Sequence, residues 1–140
     1  MARLAQRENG WDFASFDYPV RGHFSDWREH RATAYLASRR VLGETLVVGY
    51  AVVWQRTSCR RFDLAASTWS GETQQRGVAT VDLVFTCQVW RRRGVGRRLV
   101  EAIAGANQVS PAALAWSSPF TDAGRALAQA VAGSSEVLVA

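Results

Sequence analysis

Lysine is absent from this chain: all seventeen basic residues are arginine, set against twelve acidic ones for a net charge of +5. So uniform a usage is a compositional bias, and only clustered arginines carry information about binding. Cysteine is scarce, with Cys59 and Cys87 isolated and in no metal-ligand spacing. That argues against a disulfide framework or a metal site and predicts reduced thiols, Cys87 at the end of a buried strand. The two histidines, His23 and His30, lie in an aromatic N-terminal stretch and receive no chemical role. No apolar run approaches the ~20 residues that span a bilayer, and residues 1–10 lack the apolar core of a signal peptide. A cytoplasmic protein with no membrane partner is expected. Internal repeats and low-complexity tracts are also missing.

Against these absences stand 48% hydrophobic residues, with six Trp, six Phe and three Tyr. That content argues for a folded globule and against disorder. At 140 residues the chain is expected to be one domain, 1–140, able to bury a core without disulfides or metal.

The most informative stretch covers residues 78–106. Residues 78–86 are rich in β-branched and aromatic side chains and read as a strand buried on both faces. Leu99, Val100, Ile103 and Ala106 then recur at helical spacing, with Arg97, Arg98 and Glu101 on the other side. Between strand and helix stands Arg91-Arg92-Arg93-Gly94-Val95-Gly96. Its glycines let backbone approach a ligand closely, and the first N–H groups of a helix have no intrahelical partner. Together they make an anion cradle suited to a phosphate or pyrophosphate. The glycines and the helix start favour a phosphate-bearing cofactor over nucleic acid, which needs only a basic patch.

Elsewhere the elements are shorter. Trp11, Phe13, Phe16, Tyr18 and Phe24 form an aromatic region, read as a helix and loop packed on a sheet or as the wall of an acceptor pocket. Ser25 starts a helix that ends near Arg31 and carries Trp27 inward. Residues 32–38 read as a strand, although a continuing helix also suits Ala34 and Tyr35. Residues 46–54 are a clearer strand after a turn at Gly43 and Glu44, making an antiparallel hairpin. Gly49 within it signals a bulge or a close backbone approach. Residues 57–61 are polar and basic, residues 62–69 read as a helical turn or irregular connection, and residues 70–77 as a loop. After the central helix come a short strand at 112–116, a helix capped by Thr121 that runs to about Ala132 with Leu127 and Val131 inward, and an edge strand at 136–140.

The hexapeptide Arg91 to Gly96 fits the Arg/Gln-x-x-Gly-x-Gly/Ala signature of the GNAT superfamily of N-acetyltransferases, between the strand and helix that family requires. Ala115-Trp116-Ser117-Ser118-Pro119-Phe120-Thr121-Asp122-Ala123-Gly124 resembles the next strand and helix start of some bacterial members. The resemblance runs from about Val78 to the C-terminus and is loose before it. It implies an α/β fold, a mixed β-sheet flanked by helices with a splayed central strand that binds the cofactor. It also implies acetyl-CoA as donor, with Arg91, Arg92, Arg93, Gly94, Val95, Gly96 and Arg97 around the pyrophosphate. The backbone of Val84, Phe85 and Thr86 would pair with the pantetheine arm, in the gap left by the strand that follows.

Two departures from the family pattern stand out. Gln88 replaces a common Pro, a local change. The last helix carries no Tyr to protonate the departing thiolate, so Ser117, Ser118, Thr86 or water would have to serve. Asp82 is the acid of the central strand and the expected general base, with a satisfied structural carboxylate as its other reading; Glu72 and Asp63 are reserves. The expected function is acetyl transfer from acetyl-CoA to a primary amine of a small molecule or peptide. A non-catalytic GNAT-fold module that binds a CoA derivative or a protein comes second, and a nucleic-acid-binding domain third. A homodimer paired through residues 136–140 is a further expectation.

Overall fold

The computed structural model describes residues 32–140. The aromatic region around Trp11 to Phe24, the helix start at Ser25, Trp27, and both histidines therefore lie outside the described residues.

Two long hairpins begin the fold. Strand β1 (Ala32–Val41) pairs antiparallel with β2 (Glu44–Asp63). They meet at a two-residue turn whose members, Leu42 and Gly43, both have left-handed backbone, φ 50° and 86°. That geometry matches the right-handed twist of paired strands. Strand β3 (Thr68–Thr86) returns antiparallel along β2. Its turn is set by Asp63, whose Oδ1 accepts the N–H groups of Ala65 at 2.8 Å and Ala66 at 3.1 Å.

The length of this ribbon corrects the sequence reading. Residues 62–69 are the ends of β2 and β3 with a four-residue turn, 64–67, between them, and residues 70–77 are not a loop: they lie within β3, where Ser70, Gln74 and Gln75 face β2. Arg61 lies across from Ser70 and Phe62 from Trp69, joined through backbone, while residues 71–77 stay exposed on the ribbon surface. Ladder hydrogen bonds are indifferent to side-chain polarity, so a polar sequence pairs as well as an apolar one.

After β3 come a 3₁₀ turn (Gln88–Trp90), helix α1 (Val95–Ala106) and a second 3₁₀ turn (Pro111–Ala113). Strand β4 is only Ala115–Trp116, shorter than expected because the residues before it are taken by that turn. Helix α2 (Asp122–Ala132) is capped by Thr121, whose hydroxyl accepts the Gly124 N–H at 3.1 Å. Strand β5 (Glu136–Val139) closes the fold. It is not an edge: β5 runs parallel to β4 on one side and antiparallel to residues 60–63 of β2 on the other. The pairings β2–β3–β4–β5–β2 thus return on themselves. A strand held on both flanks has no free ladder for a second copy, so the expected dimer contact through residues 136–140 is withdrawn.

Helix α1 lays Val95, Leu99, Val100, Ile103 and Ala104 on one face of the sheet, against Ala51, Val53, Ala79 and Val81. Each large side chain so buried contributes roughly 1.5–3 kcal/mol. Ala104 takes the inward place expected of Ala106, which is exposed at the last turn. Leu127 and Val131 of α2 border this core half-buried, and Ala128 enters it fully. The opposite face carries Tyr50, Val52 and Phe85. Among the described residues, no helix is long and apolar enough to cross a membrane, and no group of three His, Cys, Asp or Glu is arranged to hold a metal.

Candidate active site

The site is built where β3 loses one of its neighbours. Thr80 pairs with Ala115 and Val81 with Trp116 in parallel, and the Ser117 N–H adds a bond to the Val81 carbonyl at 3.0 Å. Past that bond, β3 has a strand partner among the described residues on the β2 side alone, through Val52–Leu83, Ala51–Val84, Tyr50–Phe85 and Gly49–Thr86. The expected splay is present and begins at Asp82.

Asp82 is also the extra residue of a β-bulge. Val53 faces Val81 and Val52 faces Leu83, leaving Asp82 opposite no residue of β2. The bulge resets the alternation of side chains. Val81 lies in the helix-side core, whereas Leu83, two residues on, packs with Val52 on the opposite face. Val84 returns to the helix side and Phe85 to the other, its ring 5.8 Å from that of Tyr50. Simple alternation, which puts Asp82, Val84 and Thr86 on one face, fails here. The Asp82 side chain is exposed at the parting.

Gly49 lets β2 follow this course. A Cβ on it would stand 2.7 Å from the Phe85 carbonyl oxygen and 3.1 Å from Cγ1 of Val95. Next to it, Ala37 faces Gly49 and Ser38 faces Val47, so β2 carries a bulge as well. Both features expected of this glycine are found together.

The turn beyond Thr86 is held by arginines. Arg91 Nε donates to the Thr86 carbonyl at 3.0 Å, and Arg98 Nη2 to the Arg93 carbonyl at 2.9 Å. The Arg93 guanidinium lies 5.1 Å from the ring centre of Trp90. Arg92 is exposed with φ 59°, and Gly94, the residue before α1, has φ 73°. Gly94 has no side chain to cap the N-terminus of α1, and no side-chain cap is found among the described residues, so its first N–H groups suit another acceptor. Val95 points its side chain into the core and offers only backbone. Gly96 faces the protein: a Cβ there would stand in ordinary contact with Cδ2 of Leu127 at 3.4 Å and Cγ1 of Val84 at 3.6 Å, leaving no room for a larger side chain where α1, α2 and β3 meet. Arg97 Nε is paired with Glu101 at 2.8 Å.

Across the gap, Ser117 has a buried hydroxyl oxygen with no hydrogen-bond partner among the described residues. Asp82 and Ser117 each directly follow the last residues of the parallel β3–β4 pairing, Val81 and Trp116. The two reserve acids are not brought to this place. Asp63 sits in the far hairpin turn, where the N–H groups of Ala66 and Ala65 hold its carboxyl below the ordinary value of 3.8. Glu72 lies in the ribbon, about 30 Å of strand path before Asp82 at ~3.3 Å per residue. A feature not read from the sequence is a pocket of about 250 Å³ beside the loop after β4, lined by Phe62, Trp69, Ser118, Phe120 and Arg125. Its only signal in the sequence was apolar aromatics within otherwise polar segments.

Residues 75–140, a little under half of the chain, match a family model described as ESCO1/2 acetyl-transferase. The comparison with curated proteins finds no match. Among solved structures, the xEco2 acetyltransferase domain bound to a CoA conjugate superposes with a TM-score of 0.73 at 19% identity, covering 99% of this chain and 79% of that one. The same domain in another structure gives 0.64 at 16% identity, with 99% and 81% covered. A ribosomal-protein-alanine N-acetyltransferase from Brucella melitensis biovar Abortus gives 0.51 at 21% identity, with 94% and 81% covered. At these identities the likeness is one of fold.

Proposed function

We propose, from the premise that this chain has the GNAT-type acetyltransferase fold, that it transfers an acetyl group from acetyl-CoA to a primary amine. The observation that carries the reading is the parting of β3 from β4 after Val81, directly ahead of the Arg-Gly turn and the uncapped start of α1. The family match over residues 75–140 covers this same region and supports it.

The residues present fit such a donor. The side of β3 turned away from β2 at Val84, Phe85 and Thr86 suits an amide-bearing arm, with the Thr86 carbonyl already accepting from Arg91, and a helix start with several arginines suits a pyrophosphate. Arg91, Arg92, Arg93, Gly94, Val95, Gly96 and Arg97 are assigned to that anion, Gly94 and Val95 through backbone alone. When bound, acetyl-CoA supplies an activated carbonyl and a thiolate leaving group. Asp82, exposed at the bulge, is assigned to take the proton from the incoming ammonium through water. Ser117 Oγ, buried and without a partner among the described residues, is the hydroxyl best suited to give a hydrogen bond to the departing sulfur in place of the missing Tyr.

A ligand that binds only the folded state raises its melting midpoint, so titration with acetyl-CoA is the direct test. A rise that saturates, together with release of free thiol in the presence of an amine, is expected. No rise at millimolar acetyl-CoA would remove the reading. The absence of Tyr from α2 favours one second reading, a module that binds CoA without turnover. A saturating rise with no thiol release from any amine would identify it.

A further inference from the structure

The pocket beside the loop after β4 has a chemistry of its own. Phe62 is its floor, with the Trp69 ring 5.0 Å away edge-on and the Phe120 ring stacked at 6.4 Å. Arg60 lies over Trp69 at 5.7 Å from its centre, fixing that ring from the other strand. Three rings in fixed mutual geometry make an apolar slot sized for one aryl or branched alkyl group.

At the edge of the slot stands Arg125, half-buried on α2. Its Nη1 donates to the Leu64 carbonyl and, at 3.2 Å, to the Ser67 hydroxyl. Both acceptors are neutral, and no carboxylate among the described residues forms an ion pair with it. The neighbouring acid, Asp63, turns its carboxylate into its own turn toward Ala65 and Ala66. A half-buried guanidinium whose partners are neutral gains most from an incoming anion, and its fork matches a carboxylate.

We propose that this pocket binds a small organic acid bearing an aryl or branched alkyl group, its carboxylate on Arg125 and its apolar group among Phe62, Trp69 and Phe120. The loop 117–120 walls both this pocket and the gap beside Asp82, so an acid of this kind that also carries an amine is the acceptor, a clause that rests on the acetyltransferase reading above. The amine nitrogen then forms the new N–C bond as the C–S bond breaks, and one amine proton ends on the released sulfur.

Trp69 is the reporter. Its fluorescence, taken as the difference between the protein and a Trp69→Phe variant, is followed with 3-phenylpropionate, phenylalanine and phenethylamine. The two acids should quench it saturably and the bare amine at least tenfold more weakly. Arg125→Gln should weaken 3-phenylpropionate tenfold or more. Because Arg125 also braces the hairpin turn, Phe120→Ala is tested beside it, removing a wall of the slot without touching the guanidinium. Equal binding of amine and acids, or full acid affinity in both variants, overturns the pocket. For the acceptor clause, phenylalanine should be acetylated and 3-phenylpropionate should compete with it. If phenylalanine is left unmodified by protein that binds both it and acetyl-CoA, the clause is overturned. If the acids bind but acetyl-CoA gives no melting shift, the acetyltransferase reading fails and the pocket stands.

Discussion

The Ser117 N–H donates to the Val81 carbonyl at 3.0 Å, and the residue after Val81 is the bulged Asp82. One hydrogen bond therefore marks both where the parallel pair ends and where β3 changes its alternation. A bulge bends the strand that carries it, and here the bend falls at the point where the strands part. The backbone from Leu83 to Phe85 thereby has no described strand on one side while it stays paired with β2 on the other, and the Thr86 carbonyl is taken by Arg91.

Gly49 is the position least able to accept a side chain. Gly49→Ala should destabilise the fold by about 1–3 kcal/mol, the usual range for overpacking, because the new methyl meets the Phe85 carbonyl rather than a movable side chain. Urea unfolding measures this. A loss below about 0.5 kcal/mol would mean that β2 shifts freely, and that Gly49 does not hold the course of β3.

Gly94 and Gly96 should fail in different ways. Gly94→Ala forces a side chain into left-handed backbone, at a cost of roughly 1–2 kcal/mol. Gly96→Val meets Leu127 and Val84, loosening α2 from α1. Both should weaken acetyl-CoA by tenfold or more, ~1.4 kcal/mol, by calorimetry. Unchanged affinity in folded variants removes the turn from the cofactor assignment.

How much of this was legible in the sequence depends on whether the cause was local. Helix α1 follows from the spacing of Leu99, Val100 and Ile103, α2 from the Thr121 cap, and Gly49 announced its close approach because few other reasons put glycine in an apolar strand. The ribbon at 70–77 was hidden because both its faces meet water, so its side chains carry no period. Strand β5 looked like an edge because its flanking partners lie far off in sequence, at Arg60 and Trp116. The Asp82 bulge is a matter of register between β2 and β3, which neither strand shows alone. The Arg125 pocket joins three separate elements and has no linear motif.

Arg97 begins with a competitor for its charge. The Arg97–Glu101 pair is exposed, 65% and 46% for the two side chains, and such i,i+4 pairs contribute only ~0.3–0.5 kcal/mol. Glu101→Gln should leave stability within that range and tighten CoA by about twofold, the equivalent energy. Replacing Arg92 and Arg97 together should weaken CoA more than dephospho-CoA if either meets the 3′-phosphate. Equal losses by calorimetry would put both on the pyrophosphate.

Asp63 ties stability to acid pH. The N–H groups of Ala66, then Ala65, hold its folded pKa below the ordinary 3.8. A depressed carboxylate contributes stability that is complete above its unfolded pKa and is lost as pH falls through the folded one. The hairpin turn should therefore loosen below about pH 3.8, and Asp63→Asn should flatten that part of the stability curve. If the variant and the parent fall together on acidification, the turn is not held by the charged form.

Asp82 decides the mechanism. It lies ~13 Å of strand path from Thr86, at about 3.3 Å per residue, too far to touch an amine attacking beside Thr86. The bulge shortens that path and leaves the carboxylate exposed at the mouth of the gap, where water can relay a proton. Asp82→Asn should lower the rate by roughly 10²-fold, the scale of a lost general base, with acetyl-CoA affinity unchanged. The acidic limb of the pH–rate profile should vanish with it. Since Asn keeps the size of Asp at an exposed bulge, a fall in melting midpoint would signal a structural carboxylate. Full rate across pH would exclude Asp82 as base. Neither Asp63 nor Glu72 sits close enough to replace it, so the proton would then have to leave to solvent directly, and a primary amine of low pKa should become the better acceptor.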